Sequence, residues 1–262
     1  MIEPIPLELF GIAKTKNRTP QPSLADRAYH LVLDQILRGN LPVGSVLSRR
    51  KLAERFNMSL VPVAQALQRL EIEGLLESRP RAGTRVKVPT AQEIREHFEL
   101  RQALEGLSAR LCAERATFQE RLELKRLAAN VDALYAKAPD EDPADDWSFA
   151  VNEYHVDLHM RIAEYARCGL LRSEIEKSHV LVFNWLYDTT RGQRILPPNF
   201  HQDLISSIAE GDPRKAQEAM EGHVTYGLKS VQLAMEPLIR HNWRLKHQSK
   251  PRTRLARKLR HR

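Results

Sequence analysis

From Ser23 to Lys87 the apolar positions change period twice. Leu52, Ala53 and Phe56 make an apolar stripe on a short helix beginning near Arg49, and Asn57-Met58 reads as a tight turn. Val63, Ala66, Leu67 and Leu70 then recur at helical spacing, behind Ser59 as a predicted N-cap and Pro62 in the first turn, where a missing amide hydrogen costs little. Gly74 stops that helix. Leu75–Ser78 and Thr84–Lys87 read as two strands around the turn Pro80-Arg81-Ala82-Gly83. Helix, turn, helix and a two-stranded wing put one exposed helix and one basic loop on the same side of a small domain, a shape suited to a duplex groove.

Beyond Pro89 the pattern is helical throughout. Thr90-Ala91-Gln92-Glu93 reads as a capping box, and six periodic segments follow at about 91–116, 118–136, 144–166, 168–189, 197–210 and 213–235. Asp212-Pro213 opens the last of them, with Asp as cap and Pro at the first helical position. No strand pattern competes. The fold class expected is mainly α: an N-terminal winged helix-turn-helix domain (23–89), then an all-α six-helix bundle (90–236). A proline-containing arm (1–22) and a basic tail (237–262), expected to be loosely ordered, flank them.

Charge sharpens this division. The net +8 combines a winged segment 23–89 with 11 basic and 6 acidic residues, a bundle 90–236 with 17 and 25, and a tail 237–262 with 10 and none. A basic head on an acidic body implies different partners for the two. The tail's charge would add sequence-independent affinity for DNA, or serve only solubility. No apolar run is long enough for a membrane span, no export signal is evident, and two cysteines make no disulfide framework, so a cytoplasmic protein is expected.

The segment PVGSVLSRRKLAERFNMSLVPVAQALQRLEIEGLLESRPRAGTRV resembles the winged helix-turn-helix of GntR-type transcription regulators, over about residues 23–88. The resemblance implies DNA binding through Arg49, Arg50, Lys51, Ser59, Leu60, Ala64, Gln65, Gln68, Arg69, Arg81 and Gly83, with Arg85 as a further phosphate contact. Two positions where the family usually carries arginine hold Leu60 and Ala64. Arginine reads guanine through a bidentate pair, whereas Leu60 offers a thymine methyl only an apolar contact. An operator different from that of arginine-bearing relatives is therefore expected.

Among the bundle histidines, spacing alone singles out His155 and His159, which stand i,i+4 on one helix face, as a metal-binding pair. The bundle segment also resembles the FCD ligand-sensing domain of the FadR-like branch, over about 91–235, and its six helices suggest the VanR-like subgroup. LHMRIAEYARCGLL and FHQDLISSIAEGDPRKAQEAMEGHV carry that likeness. They imply metal ligands at His159, His201 and His223, with His155 standing where the family has Asp or Asn. Asp157, two residues from His159, belongs to a different face. A set of four imidazoles favours Zn or Ni over Mn or Mg.

LRQALEGLSARLCAE resembles the first FCD helix and implies that Arg101 grips an effector carboxylate; otherwise Arg101 pairs with Glu105 on a solvated face. The expected protein is not an enzyme. It is a homodimeric regulator, by resemblance a repressor, that binds a palindromic double-stranded DNA operator and responds to a small carboxylate effector. The rival is a metal-dependent hydrolase or lyase fused to a DNA-binding head, disfavoured because no carboxylate or hydroxyl stands beside the histidines at catalytic spacing. An architectural DNA-binding protein leaves the acidic bundle unexplained.

Overall fold

A computed structural model describes residues 22–79, 83–137, 146–187 and 196–248. The winged segment runs α1 (Leu24–Leu37), β1 (Val46–Leu47), α2 (Arg49–Phe56), α3 (Leu60–Ile72), β2 (Leu76–Arg79) and β3 (Gly83–Val86). Its three helices close over Val32, Leu33, Ile36, Val63, Leu67 and Leu70, all buried. The strands form an antiparallel sheet in the order β1-β3-β2. Glu77 lies opposite Arg85, and their side chains pair at 2.7 Å across the strands.

The punctuation of the two helix-turn-helix elements follows from backbone satisfaction. Asn57 adopts φ 52° after α2, and Met58 N–H donates to Ala53 C=O at 2.9 Å. Gly74 adopts φ +82° after α3, with Leu75 N–H donating to Leu70 C=O at 3.0 Å and Gly74 N–H to Glu71 C=O at 3.1 Å. This is a Schellman closure, and it needs a residue tolerant of left-handed backbone.

Three local expectations need correction. The sheet has a third strand, β1, whose two residues are too short a run to show a period. Ser59 sits at the N-cap of α3 but makes no side-chain capping bond, whereas Ser48 does cap α2, accepting from Lys51 N–H at 3.3 Å. The wing strands lie one residue to either side of the expected positions, at Leu76–Arg79 and Gly83–Val86. Arg81 and its turn lie outside the described residues, as do residues 1–21 and 249–262.

The bundle comprises α4 (Ala91–Arg115), α5 (Phe118–Ala136), α6 (Asp146–Tyr165), α7 (Gly169–Tyr187), α8 (Phe200–Ala209) and α9 (Pro213–Gln248). The last helix runs well past residue 235, so the first part of the expected loose tail is helical. Pro237 is accommodated within it: the amide it lacks would have served the carbonyl of Leu233, an exposed residue that water can reach. Thr90 and Glu93 form the complete capping box at the entry to α4. Replacing Thr90 with Ala removes one half of it and should lower unfolding free energy by about 1 kcal/mol in urea titration.

The long pair α4 and α9 is antiparallel: Gln102 Nε2 donates to Thr225 Oγ1 at 2.7 Å, and Gly106 lies against Gln217 and Glu221. Arg121 ties two helix ends together, donating to Ala113 C=O and Ala116 C=O of α4's last turn and to Ala209 C=O of α8. At the junction of the two halves, α1 packs on α7.

Candidate metal and effector centre

Three helices bring four histidines to one buried cluster. His155 and His159 project one turn apart from α6, His223 comes from α9, and His201 opens α8. The Nε2 atoms of His155 and His159 are 3.1 Å apart, those of His159 and His223 3.1 Å, and those of His155 and His223 3.3 Å. His201 stands beside this triad, its ring centred 5.0 Å from that of His155 and 5.2 Å from that of His223. Three of the four expected ligands therefore present nitrogens to one point, and the fourth flanks them. Asp157 pairs with Arg161 at 3.6 Å instead, away from the cluster.

The chemistry of this donor set fits a metal ion. Around an ion at about 2.05 Å from each nitrogen, neighbouring ligands are separated by about 3.3 Å in tetrahedral and about 2.9 Å in octahedral geometry. The three measured separations, 3.1, 3.1 and 3.3 Å, fall in that interval. Hydrogen bonding alone cannot satisfy the triangle. Each neutral Nε2 is either a donor or an acceptor, so two of the three must be alike and one contact is unfavourable. Burial, reinforced by the neighbouring imidazoles, holds His155 and His223 well below the usual imidazole range, which keeps them neutral with lone pairs available.

Carboxylates set the tautomers. Glu105 of α4, buried, accepts from His159 Nδ1 through Oε2, which turns the other ring nitrogen, Nε2, to the triad. Asp132 of α5 does the same for His201, with Oδ1 2.6 Å from its Nδ1. Asp132 also accepts from the backbone N–H of His201 at 3.1 Å and of Gln202 at 3.0 Å, supplying the cap that α8 lacks from its own Asn199. Burial would raise the Asp132 carboxyl, but these bonds outweigh it and hold it below the ordinary range. Such carboxylate–histidine pairs are the usual outer support of a metal centre. Tyr135 stacks on His201 and Phe200 on His223, fixing both rings from the other side.

Glu105 joins two halves of the site. Its Oε1 accepts from Arg101 Nε at 2.6 Å, and its Oε2 lies 3.3 Å from His179 Nε2 of α7. Arg101 does pair with Glu105, then, but in the interior, with only 6% of its side chain exposed, and not on a solvated face. Its two Nη atoms carry no hydrogen bond among the described residues, which leaves a fork free for a planar anion. Burial would raise the Glu105 carboxyl, yet Arg101, His179 and His159 hold it well below the carboxylate range. Burial pushes His179 down to about 4. Sequence reasoning missed Glu105, Asp132 and His179 as site residues.

On the winged segment, Leu60 (55% exposed), Val61 (66%), Gln65 and Gln68 form the outward face of α3, with Ala64 partly covered among them. Arg49, Arg50, Lys51 and Ser59 are exposed at the neighbouring helix ends, and Arg50 pairs with Glu54 at 3.0 Å. Gly83 is exposed at φ +77°. Arg69 is drawn back to α1: its guanidinium lies 3.8 Å from the centre of the Tyr29 ring and contacts Asp26 and Glu73. Arg85 is likewise committed to Glu77.

Comparison with known proteins decides the family. The model for bacterial regulatory proteins of the gntR family matches residues 24–86, and the FCD domain model matches residues 96–226. The chain is a GntR-family transcription regulator with an FCD domain. Among relatives of this GntR protein, the probable D-xylose utilization operon transcriptional repressor of Paenarthrobacter nicotinovorans is 27% identical over 214 residues, covering 80% of this chain and 89% of the relative. The HTH-type transcriptional repressor RspR of Escherichia coli K12 is 25% identical over 222 residues, covering 81% and 90%. Two solved structures share the fold. Escherichia coli McbR/YncC has a TM-score of 0.62 at 20% identity, and a putative GntR regulator from Rhodococcus sp. RHA1 scores 0.65 at 18%. Each covers 81% of this chain, which covers 99% of each of them. Among the described residues of this GntR regulator, no helix is long and apolar enough to cross a membrane.

Proposed function

We propose that this GntR regulator is a cytoplasmic, dimeric repressor that senses a small carboxylate at a metal centre in its FCD domain. The observation that carries the reading is the convergence of three Nε2 atoms within 3.3 Å of one another, beside a buried arginine with an open fork. His155, His159 and His223 would hold the ion, with His201 completing the set, and an all-imidazole set favours Zn or Ni. When bound, the ion supplies a positive centre for a carboxylate oxygen. Arg101 orients the effector through its Nη pair. Glu105 fixes both Arg101 and His159, so an anion at Arg101 alters the support of a metal ligand. His179 lies on α7, which packs against α1, and that contact offers a route from pocket to head.

In the head, two copies of α3 would enter successive major grooves of a roughly palindromic operator. Leu60, Ala64, Gln65 and Gln68 would face the bases; Arg49, Arg50, Lys51, Arg81, Gly83 and the α3 N-terminus at Ser59 would serve the backbone, and Arg69 would join them only on leaving Asp26 and Glu73. Purified protein titrated onto operator DNA under defined metal content, across a panel of small carboxylic acids, tests the whole. One acid should shift operator affinity by about 5- to 150-fold, the usual span of such coupling. Operator binding that no acid shifts, with or without Zn, would refute the sensing reading. Turnover of any panel acid would favour the hydrolase or lyase reading instead.

A further inference from the structure

One face of α4 is left open by the bundle. Phe98, Gln102 and Gly106 turn toward α9. About a quarter-turn or more away around the helix, Glu96, Leu100, Ala103, Leu107, Arg110 and Glu114 are all exposed. Their spacing alternates four and three, the repeat of a helix seam that faces another helix. Leu100 keeps 50% and Leu107 41% of its surface in solvent. Leu104 and Leu111 border the stripe and are partly buried against the core. A single exposed leucine is ordinary, but two leucines flanking an alanine on one seam make a contiguous apolar surface of the kind that receives a partner.

The stripe is complementary to itself. Its apolar middle has an acid, Glu96, at one end and a base, Arg110, at the other. Two copies of α4 packed antiparallel about a two-fold axis near Ala103 set Leu100 of each against Leu107 of the other. Ala103 then meets its own copy, and Glu96 lies opposite Arg110 twice over. Arg110 can turn to such a partner, because it lies 3.7 Å from Glu114 with half its side chain exposed. A parallel pairing would set Glu96 against Glu96 and Arg110 against Arg110, which is repulsive. We infer that this stripe is the dimer face, on which a second copy of the chain packs antiparallel about Ala103. The inference rests on the dimeric part of the proposed function and adds to it the surface and the register. The register also sets the spacing of the heads. Each winged segment joins α4 at Ala91, four residues after Val86 ends β3. Copies related about Ala103 hold their Ala91 residues about 37 Å apart along the helix axis. Half-sites one duplex turn apart are separated by about 34–36 Å, so α4 serves as the spacer that matches two heads to successive major grooves.

The test measures self-association of the full chain by sedimentation equilibrium, with circular dichroism as the check on folding. The parent should be dimeric at micromolar concentration. Leu100→Glu together with Leu107→Glu should weaken dimerisation at least about a hundredfold while keeping the parent's helical signal. Glu96→Arg and Arg110→Glu should each weaken it about tenfold, since each turns two attractive pairs repulsive. An equimolar mixture of those two variants should regain the parent's affinity, because every pair in the mixed dimer is again opposite in sign. No role of either side chain within its own copy produces that rescue. A parent that is monomeric at these concentrations overturns the inference together with the dimeric reading. A parent dimer that the leucine variant leaves intact overturns the inference alone. A mixture no tighter than its separate variants overturns the antiparallel register. Should the leucine variant lose its helical signal, the mixture decides.

Discussion

Replacement of His159 by Ala is expected to lower bound transition metal from about one ion per chain to below about 0.1, measured by elemental analysis after dialysis against Zn. His159 is the ring shared by both 3.1 Å contacts of the triad, and the one that Glu105 orients. Its removal leaves only the 3.3 Å contact between His155 and His223 from the close triangle. The same change should abolish the rise in thermal midpoint that Zn gives the parent protein. At a free metal level a thousandfold above Kd, that rise corresponds to about 4 kcal/mol of stabilisation. His201→Ala should cost less, because its ring stands outside the close triangle. If metal content in His159→Ala matched the parent, the triad would not be the binding site.

Replacement of Glu105 by Ala is expected to destabilise the metal-free protein by about 3–5 kcal/mol in urea titration, the usual result of stripping a buried ion pair of one partner. Arg101 would keep its charge in a site where only 6% of its side chain is exposed, and His159 would lose the acceptor of its Nδ1 proton. The pair itself is not the main stabilising term. Arg101→Met together with Glu105→Leu should recover much of the loss, because the double change removes both desolvated charges while keeping their volume. A double variant as unstable as Glu105→Ala would show that the bond to His159, and not the ion pair, dominates. If Arg101 grips a carboxylate as proposed, the double variant should also lose the effector response even where its stability recovers.

Much of the fold was legible because helices longer than three turns repeat their pattern several times. The six bundle segments emerge from spacing, and the caps at Thr90 and Asp212 from residue type. The failures have local physical reasons. β1 contains one exposed and one buried residue, which carries no period. The end of α9 reads as tail because its apolar positions thin out after Met235 and Pro237 follows, yet Leu238 and Ile239 still find the core. At Ser59 the residue type suits a cap, but the hydroxyl makes no such bond.

The site divides in the same way. His155 and His159 declare themselves by being one turn apart, while His201 and His223 need the likeness of a longer motif. Their carboxylate partners are hidden by distance along the chain. Glu105 lies 54 residues from His159, and Asp132 lies 69 residues from His201. The signal available is indirect: a buried ligand histidine needs an acceptor for its second nitrogen. Sequence spacing does not say which of many acids supplies it.

The exposed Leu60 and Val61 at the tip of α3 have a thermodynamic consequence for an operator reader. Contacts between these side chains and thymine methyls, if made as proposed, would displace ordered water and bury apolar surface, and so would contribute a negative heat capacity of association and little dependence on ionic strength. The surrounding cations behave in the opposite way. As salt rises, such a protein loses its hold on DNA in general faster than it loses its preference for one sequence, and its search of the duplex becomes more selective as it becomes weaker.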